Sequence, residues 1–206
     1  MHTPPRDHRK QLDQARSAIA QGLQRPLPAA AADTRVAIVS PQPLAPSSMA
    51  NGLPVPMEQK RQAQAEYVKL LQIYRAGTAE MNLPADDLGV ALAVFVLGNY
   101  QVASGQQLDE AQIDAAMADL RRLAASLPQL AQLPLLARQE LLEELAISGT
   151  LMRSISVQAA HGVDPVALER ARPAAQRYLA DVLGVPYSTL RFTIDGMRLG
   201  RTTAAV

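Results

Sequence analysis

The 206-residue sequence predicts an all-α fold: a compact bundle of about five helices around one buried apolar helix. Three observations carry that expectation. Ten residues from Leu88 to Leu97 follow Asp86-Asp87 without a polar side chain. A helix that is apolar all round must be covered all round, so this segment is the expected central post. Nearly half of the residues, 48%, are apolar, which is enough for a sizeable core. Leu and Ala dominate that fraction while Trp is absent, which favours packed helices over a sandwich or barrel.

Taken in order, residues 1–25 read as an amphipathic N-terminal arm. Leu12, Ala15, Ile19 and Leu23 fall on one stripe, and Arg6, Arg9, Lys10, Arg16 and Arg25 outweigh Asp7 and Asp13. Such an arm is either a solvated terminal helix or a surface for an anionic membrane or a partner. Residues 26–56 carry prolines at 26, 28, 41, 43, 46, 54 and 56, with Ala29 to Ala32 among them. This composition predicts a largely extended or disordered linker. Its β-branched island, Thr34 to Val39, is expected as a short strand or as an extended segment on the surface.

The helical bundle domain is expected over 57–186. Tyr67, Leu70, Leu71 and Tyr74 share one helix face. Pro84 ends that helix, and Asp86 or Asp87 caps the next, where a carboxylate meets free amides and the positive end of the dipole. Gly89 and Ala93 let a neighbouring helix approach the central post, and Gly98-Asn99-Tyr100 is expected to close it. Asn99 is then expected to tie the helix end to a loop backbone. The alternative is an amide that reads a ligand. Asp109 caps a helix with the stripe Ile113, Met117, Leu120, Leu123 and Leu127. A long helix follows Pro134 to about His161. Its first half should turn Glu140, Glu143 and Glu144 outward, and its apolar second half, with Gly149, should pack on the first post. Arg153, the lone charge there, should be paired or snorkel outward. Asp164-Pro165 starts the last helix, which Pro173 must kink or restart. In the C-terminal extension, 187–206, Leu190 to Leu199 around Asp195-Gly196 predicts a small β-hairpin, with Val36 to Val39 as a candidate third strand.

Chemistry is sparse. Cys is absent, which removes disulfides, thiolate zinc sites and a Cys nucleophile. His occurs only at 2, 8 and 161, and a helix C-terminus accounts for His161. No phosphate loop, dinucleotide fingerprint, His-Glu-x-x-His or Gly-x-Ser-x-Gly occurs. No catalytic residue, cofactor site or metal site is therefore assigned. The candidate polar residues are Asn99, Tyr100, Arg153, Glu140, Glu143 and Glu144. A net charge of +1 argues against a protein that coats nucleic acid. No apolar run reaches the roughly 18 residues that signal a transmembrane helix. Between 109 and 144, seven acids face three arginines, and between 153 and 201, seven arginines face four acids. If those regions form separate faces, the molecule is dipolar and suited to docking another protein.

The run from Tyr67 to Leu183 resembles an uncharacterised family of bacterial proteins usually made with export signals. The matching features are Tyr67-x-x-Leu70-Leu71-x-x-Tyr74, Asp87-Leu88, Gly98-Asn99-Tyr100, Gln139-Glu140, Leu145-Ala146-Ile147-x-Gly149 and Tyr178-Leu179. The resemblance implies an all-helical periplasmic domain and no catalytic residues. Residues 1–10 show no signal peptide. The expected location is therefore the periplasm if an export signal has been removed from this chain, and the cytoplasm otherwise. The functional expectation is a non-enzymatic protein-binding module of the bacterial envelope, an inhibitor or immunity protein among its subtypes, with another protein as partner. The alternatives are a hydrolase that uses Glu140, Glu143 or Glu144, which must then line a concave pocket, and a homo-oligomeric scaffold.

Overall fold

The computed structural model describes residues 6–25, 27 and 34–200. His2, the Ala29 to Ala32 run and the chain beyond Gly200 lie outside the described residues, as does the side chain of His8. Eight α-helices and one hairpin are present among the described residues: α1 (Arg6–Gly22), α2 (Ala45–Gly52), α3 (Met57–Glu80), α4 (Leu88–Ser104), α5 (Glu110–Ala125), the single turn α6 (Pro128–Ala131), α7 (Leu135–Ala160), α8 (Pro165–Leu183), β1 (Leu190–Thr193) and β2 (Gly196–Leu199).

The post is α4. Every residue from Leu88 to Tyr100 is buried, and α7, α5 and α8 surround it. Its largest interface is with α7, through two glycines. A Cβ on Gly149 would lie 2.5 Å from the Val94 carbonyl and the Phe95 amide, and a Cβ on Gly98 would collide with the Gly149 carbonyl. Two backbones can approach this closely only where neither helix carries a side chain. Gly89 does the same for α5, where the Arg121 backbone passes. Gly98-Asn99-Tyr100 is therefore inside the helix, not at its end. The helix continues to Ser104 and stops at Gly105, whose φ is 72°.

The caps follow the sequence. Asp87 accepts from the amides of Gly89 and Val90, Asp109 and Gln112 form a reciprocal capping box, and Asp164 accepts from the Ala167 amide. Pro173 lies within one continuous α8. The hairpin pairs Leu190 with Leu199 and Thr193 with Gly196, so its loop is Ile194-Asp195 and Gly196 opens the return strand.

Two segments are more firmly integrated than their composition suggests. The stripe of α1 is buried against α8, α6 and α7: Leu12, Ala15, Ile19 and Leu23 are each at most 7% exposed. Its apolar face is thus covered by its own chain, and neither a solvated helix nor a free membrane-binding face describes it. Within the stretch expected as a linker, residues 34–40 run extended and α2 forms. The extended run does not join the hairpin, which remains a two-stranded sheet. It makes a single antiparallel bridge, Arg35 to Asp87, at the start of α4. There the Val36 amide donates to the Asp86 carbonyl at 2.8 Å, and the Leu88 amide to the Thr34 carbonyl at 3.1 Å.

Candidate functional site

The first half of α7 holds the candidate carboxylates, and it does not turn them outward. Glu143 is 1% exposed and Glu140 6%. A buried carboxylate needs donors, and for Glu143 the segment 39–45 supplies them. Glu143 Oε2 accepts from the backbone amides of Leu44 at 2.6 Å and Ala45 at 2.9 Å. These are the free amides at the start of α2, which has no side-chain cap of its own because Leu44 occupies the cap position. Glu143 thus caps α2 from another helix, with a charge that its dipole favours. One turn earlier, Gln139 is also buried. Its Oε1 accepts from the Val39 and Ser40 amides, both at 3.0 Å. Its Nε2 donates to the Ser40 carbonyl at 3.1 Å and to Glu143 Oε1 at 2.9 Å. The two side chains form one clamp that fixes the proline-rich segment to α7.

Glu144 is the most open of the three. Its side chain is 17% exposed and pairs with Arg16 of α1 at 2.6 Å. It lines a cleft of about 280 Å³ with Met49, Phe95, Tyr178 and Asp181, whereas Glu140 and Glu143 do not line that cleft. The concave arrangement that a hydrolase needs is therefore limited to Glu144, already held by an arginine, and the exposed Asp181.

Two further acids act as anchors. Asp87 is at once the α4 cap, the acceptor of the Thr34 hydroxyl at 2.5 Å, and the partner of Arg121 on α5 at 2.8 Å. Asp119, 1% exposed, accepts from the Met197 amide at 2.8 Å, forms a hydrogen bond with Arg122, and thereby pins β2 onto α5. Asp119, Glu140 and Glu143, three of the seven acids between 109 and 144, are interior and so are not part of an exposed acidic face.

Asn99 is fully buried. Its Nδ2 donates to the Phe95 carbonyl at 2.8 Å, one turn back in its own helix, and its Oδ1 has no partner. It neither binds a loop nor lines a cavity of the size a ligand needs. Tyr100 joins α4 to the C-terminal hairpin, with its ring 4.5 Å from that of Phe192 and its hydroxyl donating to Gln106 at 3.1 Å. Arg153 is exposed and, among the described residues, has no carboxylate partner, so it snorkels outward. On α3, burial and the neighbouring carboxylates Asp87 and Asp86 push the Tyr74 phenol well above 10.0, and its hydroxyl has no partner. Burial and the nearby Tyr178 push the Tyr67 phenol up as well.

The sequence carried no distinct sign of the clamp. Gln139, Glu143 and Asp119 sit on helices where a charged or amide side chain ordinarily faces water, and only the fold shows which backbone amides they meet. Among the described residues there is no group of three or more His, Cys, Asp or Glu able to hold a metal ion. No described helix is long and apolar enough to cross a membrane.

No curated protein and no solved structure matches the chain. A family of unknown function, DUF6683, matches residues 6–200, and so takes in the arm, the proline-rich segment and the hairpin, beyond the Tyr67 to Leu183 run on which the resemblance rested. The chain belongs to the DUF6683 family.

Proposed function

We propose that the protein is a non-enzymatic binding module that takes up an extended strand of another protein at the open backbone of Ala37 and Ile38. The observation that carries this reading is an open, immobilised backbone edge. The bridge at Arg35 holds one end of the segment and the Gln139 clamp holds the other. Between them, the amides and carbonyls of Ala37 and Ile38 make no hydrogen bond among the described residues. Ile38 is 49% and Val39 44% exposed, and Leu135 and Leu136, one turn before Gln139, add further exposed apolar surface. An extended, β-branched edge with free backbone groups is a template for strand addition, in which main-chain bonds give affinity and alternate side chains give specificity. Pre-fixing the edge lowers the ordering cost of binding. The envelope location draws on the sequence resemblance to exported proteins, and an inhibitor is one subtype of such a module. The buried, engaged carboxylates favour binding over hydrolysis.

A photo-crosslinker at position 39, with one at Val163 as an exposed control, tests this in a periplasmic extract. A crosslink at 39 alone, mapped to an extended segment of one protein and lost in Ile38→Pro, is expected. Capture unchanged by both Ile38→Pro and Ile38→Asp would overturn the reading. Concentration-dependent self-association lost in Ile38→Asp would give the edge to a second copy instead.

A further inference from the structure

We infer that the seam between α4, α5 and α7 holds a binding site for a small organic anion with an apolar tail, with Arg153 as its charge-reading residue. This site is separate from the strand edge and does not depend on it. Past the Gly98–Gly149 crossing, a cleft of about 190 Å³ opens. Val94, Leu97 and Met117 form its apolar floor, and each is at most 8% exposed. Arg153 lies at the rim, exposed and without a carboxylate among the described residues. Gln101 and Gln107 also line it, joined to each other at 3.4 Å, and Gln107 donates to Ser156 at 2.9 Å. No acidic side chain lines the cleft.

This chemistry selects one ligand class. An arginine with no internal counter-ion beside an apolar floor favours a carboxylate, which a guanidinium can bind through two parallel hydrogen bonds. The floor offers nothing to a hydrophilic anion. An apolar cavity of about 150 Å³ takes up benzene, so the cleft suits a tail of about six to eight carbons. A monocarboxylate such as octanoate meets both demands.

Calorimetric titration of the full chain tests the site, with sodium octanoate below its micellar range as probe. Octan-1-ol, octylamine and inorganic phosphate are the comparison arms. One octanoate per chain is expected, with octan-1-ol bound about tenfold more weakly through loss of a charge-assisted contact. Octylamine and phosphate should not bind. Arg153→Gln should weaken octanoate about tenfold without lowering the melting temperature, since the residue is exposed. Val157→Glu places a carboxylate one turn from Arg153 at the exposed rim and should weaken octanoate similarly. Absence of octanoate binding overturns the inference. So does binding unchanged in Arg153→Gln, or octylamine or phosphate binding as well as octanoate.

Discussion

The two halves of α7 hold the molecule together in opposite ways. The second half meets α4 through a dry crossing of two glycines, Gly98 and Gly149, with Ile147 and Leu92 wholly buried nearby in sequence. The first half meets residues 39–45 through hydrogen bonds from Gln139 and Glu143. The contrast follows from what each partner presents. From Leu88 to Gly98, helix α4 presents no polar side chain, and its backbone groups are bonded internally. Residues 39–44 cannot bond their amides to one another, since prolines at 41 and 43 prevent a regular helix or strand there and α2 begins only at Ala45. The amides of Val39, Ser40, Leu44 and Ala45 take their acceptors from another element. A glutamate and a glutamine one turn apart supply them.

Breaking the dry crossing should have the largest effect. Gly149→Val drives side-chain atoms into the Val94–Phe95 backbone, and backbone has nowhere to yield. A loss of about 3 kcal/mol is expected, seen as a thermal midpoint lowered by roughly 10 °C in a chain of this size. The polar seam comes next. Glu143→Ala leaves the Leu44 and Ala45 amides without an acceptor, and Ala45 is wholly buried. The expected cost is about 2–3 kcal/mol, measured by chemical denaturation, with Glu143→Gln retaining part of it. Asp119 tests whether a single-residue anchor obeys the same rule. Asp119→Ala removes the acceptor of the Met197 amide and should cost about 1–2 kcal/mol, with proteolysis beginning at the hairpin.

The smallest effect sharpens the comparison from the other side. Tyr74 carries a buried hydroxyl that no partner satisfies. Tyr74→Phe removes that unmet group and should change stability by no more than about 1 kcal/mol, in the stabilising direction. The same phenol gives a pH signature. Its folded value lies above 10.0, so the folded chain resists an ionisation that the unfolded chain undergoes. This contribution is fully present below pH 10 and is lost as the pH rises through the folded value. Wild type should therefore lose stability above pH 10 more steeply than Tyr74→Phe, and absorbance titration of the tyrosines should lose one late-titrating group in the variant while Tyr67 still titrates late.

Much of the fold was legible because it rests on apolar pattern and caps. Leu88 to Leu97 read directly as a buried post, Asp87, Asp109 and Asp164 as caps, Leu12 to Leu23 as a stripe, and Asp195-Gly196 as a hairpin signal. The misreadings share one cause. Gly98-Asn99-Tyr100 resembled a terminator because glycine usually ends helices, yet here its lack of a side chain serves a helix crossing. Glu143 resembled a solvated residue because helical position alone does not reveal that a segment about 100 residues earlier covers it. The proline-rich stretch resembled a linker because prolines weaken self-bonding, and sequence composition does not show acceptors supplied from elsewhere. The candidate site lay in that blind region. Thr34 to Val39 was visible as an extended, β-branched island, but the side chains that fix it were not.

Hydrogen exchange in wild type and Glu143→Ala tests the central claim, that the polar half of α7 is what orders the proline-rich segment. Residues 40–52 should lose most of their protection in the variant, while α4 from Val90 to Val102 keeps its slow exchange. Equal protection of 40–52 in both proteins would contradict the account, as would loss of protection spread evenly through α4.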